Sequence, residues 1–166
     1  MLGLFLAGFS IPESGKQIPV EGATSNDWNS SSFWYYPWGR SGVHKGIDIF
    51  AEEGTPVVAA TDGIVIFTGT IAMGGNVVLM LGAKWRFYYY AHLREISTVS
   101  FKYLKTGDKL GSVGSTGNAS GKPPHLHFAI SRLFPMISEY RLNLPQGWKR
   151  MFYIDPNIFL LGAMPS

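Results

Sequence analysis

Short apolar runs, each closed by glycine or by polar turn residues, fill the middle of the chain from residue 55 to residue 131. The runs are PVVAA, GIVIFTG, GNVVLML and WRFYYYAHL, followed by the glycine-rich GDKLGSVGSTG and by HLHFAIS. β-Branched and aromatic residues between close turns are typical of strands, and connections this short are typical of antiparallel neighbours. The sequence therefore predicts a mainly β fold, with a single antiparallel β domain and little helix.

Composition narrows the class of protein. A length of 166 residues suits one domain with its own core. Hydrophobic residues make up 46% of the chain and charged residues 15%, which excludes a disordered chain and a coiled coil. The net charge is +3, but lysine and arginine form no basic run, so we expect no nucleic-acid partner. Cysteine is absent, which excludes disulfides, thiolate metal sites and a cysteine nucleophile.

The two ends of the chain differ from the middle. Residues 11–42 mix turn formers with aromatic residues and show no period, so we expect an irregular stretch that lies against the domain. DPNIFLLG predicts one short helix, with Asp and Pro at its start and Gly at its end. We therefore expect an N-terminal segment at 1–37, a core at 38–135 and a C-terminal extension at 136–166 that packs on the core.

The opening MLGLFLAGFS is apolar but much shorter than the roughly 20 residues that a membrane helix needs. It resembles the apolar part of a secretory signal, although it has neither a basic start nor a clear cleavage site. Three interpretations stay open: part of a signal, part of a membrane anchor, or a segment that packs on the domain and covers its site.

Two of the four histidines stand in HLHF, at the start of the last apolar run. Successive side chains of a strand point to opposite faces, so His125 and His127 would share one face, with Leu126 and Phe128 on the other. A strand with two unrelated, partly exposed histidines would give the same pattern. A metal site is the alternative, and it needs further ligands.

The other two histidines supply candidates. His44 and Asp48 stand in GVHKGIDIF, where Gly46 lets a loop bend into a strand so that both side chains converge. His92 ends FYYYAHL, where alternation would put Tyr90 and His92 on one face and make Tyr90 a candidate hydrogen-bond donor into the site. All four histidines thus lie in or beside the predicted β core, which favours one shared site over four separate roles.

A zinc ion that catalyses hydrolysis takes three protein ligands, with nitrogen and oxygen atoms at ~2 Å, and leaves its fourth position for water. The four histidines and one carboxylate are two side chains more than the three ligands of such a zinc ion. Two histidines would therefore remain to transfer protons and to stabilise developing negative charge. Spacing alone does not say which histidines would bind the metal.

From Arg40 to Ile130 the sequence resembles the lysostaphin-type zinc endopeptidases of bacterial cell walls. The resemblance rests on HKGIDI, GTPVVAATDGIV, GGNVVL, YAHL and GSVGSTGNASGKPPHLHFAI in this order. It implies an antiparallel β fold with a groove across a sheet. It also implies zinc (Zn2+) as the cofactor and peptidoglycan, in its peptide stems or cross-links, as the substrate.

By this resemblance the zinc ligands are His44, Asp48 and His127, and the catalytic histidines are His92 and His125. The resemblance does not say which of the last two acts as the base. It also does not say which peptide bond is cleaved, since the family cleaves both glycine bridges and D-alanyl to diaminopimelate links. A wall hydrolase acts outside the cytoplasmic membrane, so we expect a periplasmic or extracellular location, either free or held by a membrane tether.

Three other functions fit parts of the sequence. A related domain with an intact but idle site would bind the wall or regulate other hydrolases without turnover. A lipoyl- or biotinyl-type carrier would use Lys109 of GDKL, at the tip of a hairpin between paired strands. A sugar-binding β protein would use the aromatic residues of SSFWYYPWGRSG and would need no metal. In an endopeptidase the same stretch would line the groove or cover it.

Overall fold

The structure is a computed structural model and describes residues 8–162. The opening apolar segment falls mostly outside these residues, so its roles as a signal, an anchor or a cover stay predictions. Within the described part of the chain, no helix has both the length and the apolar character to cross a bilayer.

Strands dominate the fold, as the sequence predicts. The strands of the described residues are β1 Ile47–Phe50, β2 Pro56–Val58, β3 Gly63–Ile71, β4 Gly75–Gly82, β5 Arg86–Leu93, β6 Glu95–Ile96, β7 Tyr103–Leu104, β8 Lys109–Ser112, β9 His125–Arg132 and β10 Tyr153–Ile154. A short helix, α1, spans Pro156–Leu161. Single 3-10 turns lie at Ser25–Asp27, Gly39–Ser41, Ala83–Trp85, Gly117–Ala119, Ile137–Glu139 and Lys149–Phe152. Each run in the middle of the sequence coincides with most or all of one of these strands.

Two antiparallel sheets share one core. The larger sheet has the order β1-β9-β5-β4-β3-β7, with β10 also paired to β9, and the smaller has the order β2-β8-β6. The buried cluster joins Val57 and Leu110 of the smaller sheet to Tyr90 and Phe128 of the larger. Strand β9 therefore lies between β1 and β5 with one face on the core, which leaves its other face for a site.

Both flanks add side chains to this core. Val20 and Trp28, from the irregular N-terminal stretch, are buried in the cluster, and Val20 also bridges to Val57. From α1, Phe159 and Leu160 pack into the same cluster. The irregular stretch therefore lies against the domain as expected, while the boundaries after residues 37 and 135 stay predictions.

Helix α1 begins and ends where the sequence predicts. Asp155 caps it, because its carboxylate accepts a hydrogen bond of 2.9 Å from the backbone N–H of Asn157. Pro156 occupies the first turn, where a backbone N–H would have no partner inside the helix. Gly162 follows as the C-terminal cap.

Lys109, the residue that a carrier domain would modify, begins β8 and pairs its ammonium group with Glu95 at 3.6 Å. Strand β8 pairs with β2 and β6 and not with the preceding strand β7. The hairpin tip between paired strands that a carrier requires is therefore not formed at Lys109.

Asp62, just before β3, ties together segments that are distant in the sequence. Its carboxylate accepts hydrogen bonds from the Ser14 hydroxyl at 2.7 Å, from the Thr106 backbone N–H at 2.7 Å and from the Tyr103 hydroxyl at 3.3 Å. These bonds, the one from Ser14 foremost, lower the pKa of Asp62 to about 2.

We expect Asp62→Asn to lower the free energy of unfolding by about 1 kcal/mol near neutral pH, since the amide accepts fewer of these bonds. A depressed pKa stabilises the folded state above the unfolded pKa of about 3.9, and this stabilisation is lost as the pH falls toward the folded pKa. The difference between wild type and variant should therefore shrink in acid. Urea unfolding at neutral pH and at about pH 2 measures it, and a difference that does not shrink would contradict the role of Asp62.

Candidate metal centre

Three candidate ligands meet where β1 pairs with β9. His44 lies in the loop before β1, Asp48 lies within β1, and the antiparallel register sets Asp48 opposite His127 of β9. Asp48 Oδ1 is 3.1 Å from His44 Nε2 and 2.8 Å from His127 Nδ1, and the two nitrogens are 3.2 Å apart. His44 and Asp48 therefore converge as their spacing predicts, and His127 joins them.

This triangle has the size that a metal requires. Ligand atoms at ~2 Å from a zinc ion, at tetrahedral angles, lie ~3.3 Å from one another. His44 also places its Nδ1 3.1 Å from the carbonyl oxygen of Ser32. Because Nδ1 donates to that carbonyl, Nε2 keeps a lone pair for a metal. Within residues 8–162 the three side chains form a group that could hold a metal ion, and the donor set of two imidazoles and one carboxylate fits zinc.

The protonation states agree with this role. Burial acts to raise the pKa of Asp48, but the hydrogen bond with His127 and the adjacent ring of His44 outweigh burial and hold the pKa well below the ordinary value. Burial lowers the pKa of His127, against the opposing effect of Asp48. A negative carboxylate at Asp48 and a neutral imidazole at His127 are the states in which these two side chains bind a metal.

Gly46 allows the loop before β1 to approach β9. The chain bends at Gly46 as predicted. A Cβ atom at this position would lie only 2.4 Å from the carbonyl oxygen of Phe128 and 3.0 Å from Cε1 of His127. A larger residue would push the segment away from β9, so Gly46 sets the distance between the two ligand-bearing segments as well as the bend.

The remaining two histidines lie beside the triangle. The ring centroids of His92 and His125 are 5.1 Å apart, and those of His92 and His127 are 5.9 Å apart. His92 directs Nδ1 to the carbonyl of Thr116 at 2.9 Å, and His125 directs Nδ1 to the carbonyl of Pro123 at 2.8 Å. Since each Nδ1 donates to a carbonyl, each Nε2 is left to exchange a proton. Burial, followed by the neighbouring histidines, lowers the pKa of His92 to about 4.

All five residues singled out in the sequence line one groove of about 780 Å³: His44, Asp48, His92, His125 and His127. The groove runs over the face of β9 that is turned away from the core. Leu126 and Phe128 point the other way, into the buried cluster, so the alternation predicted for this strand is confirmed.

Tyr90 and His92 do not share a face, and on this point the sequence prediction is wrong. Beyond Tyr90, β5 carries one residue more than the facing part of β4, which makes a β-bulge. His92 has a φ of 63° and turns from the core side to the groove. Tyr90 is fully buried, and its hydroxyl accepts a hydrogen bond of 3.0 Å from the backbone N–H of Ala60. It therefore donates nothing into the site.

We expect Tyr90→Phe to lower the free energy of unfolding by about 1–3 kcal/mol, because the buried N–H of Ala60 loses its acceptor. The affinity for zinc should stay unchanged, since the hydroxyl points into the core. Thermal unfolding and competition with a coloured chelator measure the two quantities. Weaker zinc binding at unchanged stability would place the Tyr90 hydroxyl at the site after all.

The aromatic stretch before β1 forms one wall of the groove, which is one of the two roles that its sequence leaves open. Pro37, Trp38 and Gly39 line the groove. Trp38 stacks on His44, with ring centroids 4.1 Å apart and planes inclined by 21°. The sequence does not indicate this stacking. It also does not indicate that the carbonyl of Ser32 accepts a hydrogen bond from Nδ1 of His44. The density of aromatic residues in FWYYPW is the one local signal for a wall at this place.

Fold and site together define a lysostaphin-type peptidase domain. Residues 42–138 match the model of Peptidase family M23, and the chain belongs to this family. The catalytic domain of lysostaphin from Staphylococcus simulans superposes with a TM-score of 0.65 at 28% identity, over 82% of this chain and 94% of that domain. The mainly β antiparallel fold is thereby confirmed.

Two relatives have names that describe a reaction. The DD-carboxypeptidase/endopeptidase Mpg of Neisseria meningitidis is 41% identical over 86 residues, which are 52% of this chain and 19% of that protein. The L-Ala--D-Glu endopeptidase of Bacillus subtilis is 33% identical over 113 residues, which are 63% of this chain and 35% of that protein. The chain thus matches well under half the length of either relative.

Proposed function

We propose that the protein is a zinc-dependent endopeptidase that hydrolyses peptide bonds in the stems or cross-links of peptidoglycan. The observation that carries the proposal is the triangle of His44 Nε2, Asp48 Oδ1 and His127 Nδ1, with sides of 2.8 to 3.2 Å, in the groove of a family M23 domain. Relatives named as endopeptidases support the type of reaction.

In this proposal His44, Asp48 and His127 hold the zinc ion. When bound, zinc polarises the scissile carbonyl and acidifies the attacking water. Hydrogen bonds from Nδ1 to backbone carbonyls orient the rings of His92 and His125, so each ring presents Nε2 to the groove. One would take the proton from the water and pass it to the leaving amine, and the other would donate to the developing oxyanion. Either histidine fits either role.

The location follows from this function, and the organisation of the chain is part of the same proposal. Peptidoglycan lies outside the cytoplasmic membrane, so we place the protein in the periplasm or outside the cell. The peptidase core spans 38–135, with the segment 1–37 before it and the extension 136–166 after it. The burial of Trp28 and Leu160 in the shared core supports flanks that pack on the peptidase core.

Release of new amino groups from purified peptidoglycan tests the proposed function. Zinc-loaded protein should release amino groups, protein treated with a chelator should not, and added zinc should restore the release. Sequencing the released peptides then identifies the bond. Zinc bound at about one per chain without release from any type of wall would contradict an endopeptidase and favour an idle domain that binds or regulates.

A further inference from the structure

Positively charged side chains line the groove in addition to the metal ligands. Apart from the histidines, its charged lining residues are Asp48, Arg40, Lys45 and Lys122. Asp48 is a zinc ligand in the proposed function, and the ion would neutralise its charge. The three remaining charged groups along the groove are all cations.

These cations stand on both sides of the metal centre. Arg40 and Lys45 belong to the segment that leads into β1, on one edge of β9. Lys122 follows the 3-10 turn Gly117–Ala119, which packs on β4 and β5 beyond the opposite edge of β9. A chain that crosses the metal centre from one wall to the other would therefore pass a cation on each side.

Among residues 8–162, none of the three cations has a carboxylate partner. The ion pairs that lysine and arginine form there belong to Lys16, Arg86, Lys109, Arg141 and Arg150. Lys45 donates from Nζ to the carbonyl of Ser41 at 3.1 Å, and Lys149 is close enough for the two like charges to interact. Like charges gathered in a cleft without an internal counter-ion favour the binding of an anion.

We propose that Arg40 and Lys45 on one wall, and Lys122 on the other, form subsites for free carboxylates of the peptide substrate. This inference rests on the proposed function and narrows its substrate to acidic peptides, as opposed to neutral ones such as an oligoglycine bridge. Carboxylates gain charge-assisted hydrogen bonds from lysine and arginine, which an amide of the same shape gains only weakly.

The test compares one cross-linked wall peptide with free carboxylates and the same peptide with its carboxylates converted to amides. We expect the acidic peptide to bind the zinc-loaded protein about tenfold more tightly, which corresponds to about 1.4 kcal/mol, because its carboxylates accept charge-assisted hydrogen bonds. Calorimetry measures binding, and turnover should show the same difference in KM rather than in kcat. Added salt should weaken the binding of the acidic peptide and leave the amidated one unchanged.

Single substitutions assign the effect to residues. Lys45→Gln and Lys122→Gln should each reduce the preference for the acidic peptide several-fold, because each weakens the binding of the acidic peptide much more than that of the amidated one. Glutamine at position 45 keeps a donor for the carbonyl of Ser41. Lys102→Gln is the matched control, because Lys102 is an exposed lysine outside the groove and its substitution should leave the preference intact.

The outcomes separate this inference from the function on which it rests. Equal binding and equal turnover of the two peptides would overturn the carboxylate subsites and leave the endopeptidase in place. Turnover of neither peptide would overturn the endopeptidase. The difference in affinity between the acidic and the amidated peptide would then show by itself whether the carboxylate subsites exist. A preference that survives both lysine substitutions would overturn the assignment to Lys45 and Lys122.

Discussion

His127→Ala should abolish the hydrolysis of peptidoglycan, with a fall in kcat/KM of about a thousandfold or more. The substitution removes Nδ1, the atom that lies 2.8 Å from Asp48 Oδ1 and 3.2 Å from His44 Nε2, and so leaves two of three ligands. A catalytic metal supplies several kcal/mol of transition-state stabilisation, and about 1.4 kcal/mol is a factor of ten. Metal analysis after gel filtration should find little zinc on the variant.

A folding defect would mimic this result, so stability has to be measured without zinc. In the absence of metal, the variant and wild type should show the same β-rich circular dichroism and similar unfolding midpoints. Added zinc should then raise the midpoint of wild type alone, because only a ligand that binds the folded state stabilises it. Full zinc content together with full turnover in His127→Ala would remove His127 from the ligand set.

His92→Ala and His125→Ala should keep zinc and still lose turnover. Their rings line the groove beside the triangle but contribute no atom to it. We expect kcat to fall about 10²–10⁴-fold in each variant, which is the usual contribution of a positioned acid or base, with little change in KM. Amino-group release and zinc content, measured on the same samples, give both quantities.

The three histidine variants act as matched controls for one another. Each removes one imidazole from the same groove and leaves only a methyl side chain, so a general effect of the substitution should appear in all three. Zinc should be lost from one variant and retained by the other two. Loss of zinc from His92→Ala or His125→Ala would make that histidine a ligand, and undiminished turnover would remove it from the reaction.

The parts of the fold and site that the sequence predicts depend on local spacing. Alternation along β9 places His125 and His127 in the groove and Leu126 in the core, because successive side chains of a regular strand point to opposite faces. The short helix α1 has its Asp and Pro start and its Gly end within a few residues, so it too can be predicted from a single segment.

The parts that the sequence does not predict depend on relations between distant segments. The turn of His92 toward the groove follows from the one extra residue that β5 carries opposite Val77 of β4, which only the pairing of the two strands reveals. The stacking of Trp38 on His44 depends on how an irregular loop folds back. The charge of the groove also appears only when Lys45 and Lys122, far apart in the chain, line the same cleft.

The bulge in β5 makes the site sensitive to insertions and deletions as well as to substitutions. A deletion of Ala91 would remove the bulge and place the histidine directly after Tyr90, so its ring would lose the position from which Nδ1 reaches the carbonyl of Thr116. Transplanting the five polar residues onto another sheet would fail in the same way unless the bulge between β4 and β5 were copied with them. The bulge is thus as much a part of this site as its histidines.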